Sequence, residues 1–218
     1  MKVSVLAGAV ALALASSAQA APFTLTFEGA GDEAQLLNFY NGGTDSLGNS
    51  GTNYQVGFGA NALSLIDADA GGTGNFANEP TPNTVLFFLT GSAVLNYAPG
   101  FTTGFSFYYT SAFSAVVNVY DGLDATGNLL ASIDLGANYN TNCTGDPSGN
   151  FCHWDIASAA FAGTAYSVDF GGTVNQVGYD NITFGSTDPN PAPEPASLAL
   201  VAAGLAGAIG MRRRKVSN

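Results

Sequence analysis

The chain has 218 residues, room for one domain of ordinary size between two processed ends, and sets sixteen Asp and Glu against five Lys and Arg for a formal net charge of −11. No Lys or Arg occurs between Lys2 and Arg212, so the fifteen carboxylates from Glu28 to Asp188 have no fixed cation among them. This excludes Lys/Arg ion pairs within the domain and, by repulsion, binding to nucleic acid or anionic lipid; each carboxylate must be hydrated, accept hydrogen bonds or hold a metal ion.

Residues 1–20 read as a secretory signal peptide. Lys2 is its charged start, Val3 to Ala15 its apolar stretch, and Ala18-Gln19-Ala20 an A-x-A cleavage site, so the mature chain is expected to begin at Ala21. Phe23 to Phe27 then alternates apolar and polar residues, the mark of a half-buried strand, and Glu28 follows at its end. Leu36 to Tyr40 is expected as a second short strand, ended by the turn Asn41-Gly42-Gly43. A polar loop over 44–52 leads to strands at Tyr54 to Phe58 and Ala62 to Ile66, and a longer one, Asp67 to Asn83, follows. Further strands are expected at Val85 to Leu89, Ala93 to Tyr97 and Phe101 to Thr110. In the last, Phe105, Phe107 and Tyr109 share one face while Ser106 and Tyr108 share the other. Ala115 to Tyr120 and Leu129 to Leu135 pair through Asp121-Gly122 and Thr126-Gly127-Asn128, and Ala165 to Phe170 and Gln176 to Phe184 complete the domain.

No window of this middle shows a sustained 3.6-residue apolar period. Strands of five to eight residues with Gly/Asn turns argue for an all-β, antiparallel two-sheet β-sandwich of jelly-roll type over 21–185. Residues 186–192, rich in Pro and Asn, read as a stiff spacer. Cys143 and Cys152 suit an exported chain, and the turn formers Gly145, Asp146, Pro147 and Gly149 between them favour a local disulfide. Two free thiols or a metal pair are the alternatives; His153 alone is a poor supply of further ligands.

The C-terminal stretch 193–218 has three parts. Pro193-Glu194-Pro195 is stiff and extended, Ala196 to Met211 carries no charge, and Arg212, Arg213, Arg214 and Lys215 form a basic stop. Sixteen residues make a helix of about 24 Å, short of the roughly 30 Å hydrocarbon core, and Gly204, Gly207 and Gly210 weaken it further. A transmembrane helix this short is expected to anchor the chain only in passing, with the domain outside and the basic end in the cytosol.

The order of these parts, with Ser197-Leu198-Ala199-Leu200 opening the apolar run, resembles the PEP-CTERM sorting signal, which also goes under the name ice-binding protein C-terminal motif. The resemblance implies an exosortase-type membrane protease that cuts at Pro193, Glu194 and Pro195, transient residence in the inner membrane, and delivery to the cell surface or extracellular matrix in company with exopolysaccharide. Within the domain, Phe27-Glu28-Gly29, Phe39-Tyr40-Asn41-Gly42-Gly43 and Tyr179-Asp180-Asn181-Ile182-Thr183-Phe184 resemble a module common among proteins with this tail, and more loosely jelly-roll carbohydrate-binding modules.

That second resemblance implies a structural Ca²⁺ between the first and last strands, with Glu28 and Asp180 as ligands and Asn181 as a helper. The alternative is that both acids accept backbone N–H bonds at strand ends. Asp67-x-Asp69-x-Gly71-Gly72 fails as an EF-hand loop because Gly71 stands where the fifth position needs an oxygen donor and Asn78 where the twelfth needs Glu, with Glu79 one place late. Catalysis has little to build on: His153 is the single His, and neither a G-x-S-x-G turn nor an H-E-x-x-H helix occurs. The expected module is therefore non-catalytic and polysaccharide-associated. The alternatives are a lectin-like domain stacking sugar rings on Trp154, Tyr108, Tyr139 or Tyr40, and, behind it, a secreted glycan hydrolase.

Overall fold

The computed structural model describes residues 21–143 and 150–190; the signal segment 1–20 and the sorting tail 193–218, with their expected membrane helix, lie outside the described residues. Among the described residues no helix is long and apolar enough to cross a membrane. The described residues form nine strands: β1 Phe23–Leu25, β2 Val56–Phe58, β3 Leu63–Ile66, β4 Thr84–Phe87, β5 Ala93–Ser111, β6 Ala115–Tyr120, β7 Leu129–Leu135, β8 Asp155–Phe170 and β9 Val177–Phe184. All pairings between these strands are antiparallel, and backbone hydrogen bonds run through the order β3-β4-β9-β5-β8-β6-β7, with β1 added to β9 and β2 to β5.

Where the sequence shows two strands, Ala93 to Tyr97 and Phe101 to Thr110, the chain forms the single nineteen-residue β5. Pro99 and Gly100 interrupt its ladder without ending it. The register to β8 shifts between Asn96 and Phe101 and again before Thr103, and Gly100 takes φ +77°. A Cβ at Gly100 would stand 2.5 Å from Thr164 Cγ2 and 2.8 Å from Tyr166 Cε1, so the bulge needs glycine for space as well as for conformation. β8 extends ten residues further upstream than Ala165. Asp155 to Thr164 is rich in Ala, Ser and Gly and has little strand propensity, but its backbone follows the second arm of β5 from Tyr109↔Asp155 to Thr103↔Phe161.

One expected strand is absent. Leu36 to Tyr40 forms consecutive turns, with Phe39 N–H bonding Leu36 O and Asn41 N–H bonding Asn38 O, and Leu37 at φ +45°. The buried residues there are Leu36, Phe39 and Tyr40, a spacing of three and four that a turn satisfies and a period-two strand does not.

The core is aromatic. Phe105, Phe107, Phe170, Tyr179 and Phe184 are fully buried, and Phe107 meets Phe170 and Tyr179 edge-on at 5.7 and 5.6 Å. Phe23 stacks on Phe184 at 4.6 Å and on Tyr54 at 5.0 Å, which fastens the short β1 to the body. Such rings contribute roughly 1.5–3 kcal/mol each by burial, with about 0.5–1.5 more per well-placed pair.

The opposite face of β5 is covered too. Ser106 Oγ donates to Ser186 O (3.0 Å), Thr183 Oγ1 to Pro189 O (3.0 Å) and Asn190 Nδ2 to Tyr108 OH (2.8 Å). Residues 186–190, the first part of the expected spacer, thus lie along the sheet and leave all eight residues of β9 buried.

Candidate functional site

The site grows from a flaw in β9. Between Ser106↔Thr183 and Tyr108↔Asp180, β5 advances two residues while β9 advances three, and Asn181 absorbs the extra residue at φ +48°. In an unbroken strand the side chains of Asp180 and Asn181 would point to opposite faces. The bulge turns both toward the same neighbour, Thr81, which lies between Pro80 and Pro82 in the loop before β4.

Four acceptor oxygens surround the Thr81 hydroxyl: Asp180 Oδ2 at 2.8 Å, Asp180 Oδ1 at 3.0 Å, Asn181 Oδ1 at 3.1 Å and Thr26 O at 3.5 Å. The hydroxyl has one proton to donate, so this cluster has more oxygen lone pairs than hydrogens. Asp180 is completely buried; it also accepts the N–H groups of Thr81 (2.9 Å) and Asn181 (2.7 Å). Burial dominates these bonds and, with the charge of Glu28 adding to it, pushes its pKa up to about 8. Glu28 stands at the rim, where Oε1 accepts Thr84 N–H at 3.0 Å; burial and then Glu79 raise its pKa against that bond.

Of the expected ligands, Asp180 and Asn181 share Thr81, while Glu28 is near enough to Asp180 for its charge to act on it but is bonded to Thr84 instead. Both acids also accept backbone N–H bonds, so neither reading of the pair excludes the other. Sequence reasoning missed Thr81, whose only local sign is the flanking prolines. The donor set is oxygen alone, which suits a hard cation such as Ca²⁺ and offers nothing to Zn²⁺ or copper. Among the described residues no three His, Cys, Asp or Glu side chains gather closely enough to hold a metal. A Ca²⁺ here would have to complete its six to eight oxygens from Asn181, Thr81, the Thr26 carbonyl and water.

A second acidic group lies on the other side of the same loop. Asp67 is 3% exposed, its Oδ1 has no hydrogen-bond partner, and burial, with Glu79 and Asp69 beside it, raises its pKa to about 6. These residues line a concavity with Asn78 and Asn83.

The aromatic residues expected to stack sugars are mostly occupied. Tyr40 is a correction: at 4% exposure it belongs to the core, its hydroxyl accepting the Phe27 N–H at 2.7 Å and its ring lying edge-on to Phe39 at 4.7 Å. Trp154 is half-buried, bonded through Nε1 to Ala77 O (3.0 Å) and edge-on to Phe76. It walls a cavity of about 30 Å³, room for one water, beside Thr110, whose buried hydroxyl has no partner. Tyr139 leans on Phe151 at 5.3 Å, and the Tyr108 hydroxyl receives Asn190. Cys143 and Cys152 are joined in a disulfide with Cα atoms 5.5 Å apart. His153 Nε2 meets Asp155 Oδ1 at 3.1 Å, while Asp155 Oδ2 accepts Asn138 Nδ2.

Residues 191–215 match the PEP-CTERM protein-sorting motif. The chain therefore carries a PEP-CTERM sorting signal at this end, which indicates export with a membrane-associated sorting signal. No curated protein matches it. Among solved structures, a Clostridium stercorarium module, CsCBM6-3 in complex with cellobiose, is 17% identical, with 59% of this chain and 84% of that chain covered at a TM-score of 0.37. Another family 6 carbohydrate-binding module is 15% identical over 56% of this chain and 79% of its own, at 0.35. A Bacillus subtilis glycoside hydrolase family 43 arabinoxylan arabinofuranohydrolase with cellotetraose is 14% identical, with 58% and 25% covered, at 0.38.

Proposed function

We propose that the protein is a non-catalytic module of the cell surface or extracellular matrix, a jelly-roll-like β-sandwich stabilised by Ca²⁺ at Asp180, Asn181 and Glu28 and associated with exopolysaccharide once an exosortase-type protease has removed its tail. The observation that carries this reading is the proton-poor oxygen cluster around Thr81. An exported protein meets Ca²⁺ outside the cell, and a bound cation supplies the positive charge that the carboxylates of this cluster otherwise lack. With no Lys or Arg between Lys2 and Arg212, an acidic polysaccharide could be held only through bridging cations, whereas a neutral one needs hydroxyl and amide partners.

Cosedimentation of the purified exported protein with its host's exopolysaccharide, in Ca²⁺ and in EDTA, tests the reading. The protein is expected in the pellet in Ca²⁺, with no new reducing ends released from the polymer. Protein left in the supernatant would remove the association, and a steady release of reducing ends would make it an enzyme.

A further inference from the structure

We infer a binding site for a neutral saccharide in the amide-lined concavity beside β2. This deepens the exopolysaccharide reading above and rests on it. The concavity has a volume of about 380 Å³, within the range of small-molecule sites. Asn38 and Asn41 come from the turn before β2, Gln55 and Gly57 from β2 and its approach, Asn96 from β5 and Asp124 from the β6–β7 loop.

Its polar groups are fixed in place before any ligand arrives. Asn96 Nδ2 donates to Asp124 Oδ1 at 2.6 Å and Asp124 N–H returns a bond to Asn96 Oδ1 at 2.7 Å. The loop behind Asp124 is tied down by Ser167, whose Oγ donates to Gly122 O (2.6 Å) and accepts Ala125 N–H (3.0 Å). Across the concavity, Asn41 Nδ2 donates to Asn38 Oδ1 at 3.2 Å. These bonds use only part of each group's capacity. A second N–H on Asn41 and Asn96, the Asn38 amino group, and Asp124 Oδ2 remain available, and the exposed Gln55 amide makes no side-chain hydrogen bond. Neighbouring donors and acceptors on rigid supports are what vicinal hydroxyls of a sugar ring can satisfy.

Three further observations agree. Leu123, 43% exposed, and Pro99 give the concavity an apolar flank for the C–H face of a ring. Two of its lining residues, Gln55 (φ +64°) and Asp124 (φ +55°), and the chain neighbours Leu37 (+45°) and Ala125 (+55°) take positive φ, backbone of the kind that aims side chains at sites. Finally, Asp124 is its only charge, and the described residues contain no Lys or Arg, so the site repels uronates and other acidic sugars and selects neutral ones.

Isothermal titration of the purified exported protein tests this, using neutral tetrasaccharides of β-linked glucose, xylose and mannose and a tetra-uronate as the acidic counterpart. At least one neutral probe is expected to bind with Kd of about 1 mM or tighter, the uronate to give no heat, and L123D to weaken binding at least tenfold. Gly57 offers a second variant. Its backbone is not in the left-handed region, and an added Cβ meets only Asn41 Nδ2 at 3.7 Å and Leu37 O at 3.9 Å, so G57V keeps a strand-compatible residue while filling the floor. It too should weaken binding tenfold or more. Heat from none of the neutral probes, or equal binding by wild type and L123D, would overturn the site. Cosedimentation of the variants with exopolysaccharide separates the two readings: full retention of L123D would refute this site and leave the association standing, whereas oligosaccharide binding without cosedimentation would do the reverse.

Discussion

Removing the proposed calcium is the sharpest perturbation, because a Ca²⁺ at Asp180 would be coupled to pH. In the Ca²⁺-free protein the buried carboxyl has a pKa of about 8, against roughly 3.9 for an unfolded aspartate. Between those values the folded chain keeps a proton that the unfolded chain releases, so stability falls as pH rises, at up to about 1.4 kcal/mol per unit. From pH 5 to pH 7 this one group removes about 2.7 kcal/mol. At roughly 2–4 °C per kcal/mol for a domain of this size, the melting midpoint in EDTA should drop by about 5–11 °C. The proposed Ca²⁺ would reverse the trend, because it would bind the ionised form. At a hundredfold excess over its Kd it adds about 2.7 kcal/mol, so the Ca²⁺-minus-EDTA difference should be about 5–11 °C at pH 8 and shrink toward pH 5. D180N keeps the shape of the side chain and removes its charge; the EDTA midpoint should lose most of its pH slope between 5 and 8, and the calcium response should fall with it. Differential scanning calorimetry reads all of these. Coincident Ca²⁺ and EDTA curves at pH 8 would refute the argument, as would a D180N protein with an undiminished calcium response.

Four other outcomes follow from the packing. Asp67, with an unpartnered buried oxygen and a pKa raised to about 6, contributes stability that is present below pH 4 and lost as pH rises through 6; D67N should flatten that part of the pH profile and melt higher than wild type at pH 7. Replacing Cys143 and Cys152 by Ala opens a ten-residue loop and should cost roughly 2.5–3 kcal/mol, about 5–12 °C in melting temperature, with little change in far-UV circular dichroism. F107A removes a fully buried ring that meets Phe170 and Tyr179 and should cost about 3–5 kcal/mol in urea unfolding at pH 7. Breaking the Asn190–Tyr108 bond in Y108F should cost only about 1 kcal/mol but speed amide exchange over 186–190; unchanged exchange there would show that the segment is held by other contacts.

The sequence by itself determined whatever depends on neighbours along the chain. Alternation at Phe105, Phe107 and Tyr109 placed those rings on one face, glycine- and asparagine-rich turns divided the strands, and the short span from Cys143 to Cys152 made their pairing local. The tail was legible for the same reason: stiff motif, apolar run and basic end are contiguous, and their order carries the signal. Glu28 and Asp180 could be paired only by analogy between domain ends, since nothing in their local sequence brings them together.

Tertiary structure decided the rest, because it depends on pairing between distant segments. Asp155 to Thr164 is a strand because β5 lies beside it, and Tyr40 is core because the turn at Leu37 carries it inward. Thr81 reaches Asp180 across ninety-nine positions because one extra residue in β9 re-aims two side chains at once. The amide concavity likewise takes its residues from a turn, two strands and a loop spread from Asn38 to Asp124. A side chain's neighbours along the chain set which face of a strand it occupies; register, bulges and loop docking set what it faces, and those are fixed only when the whole sheet assembles.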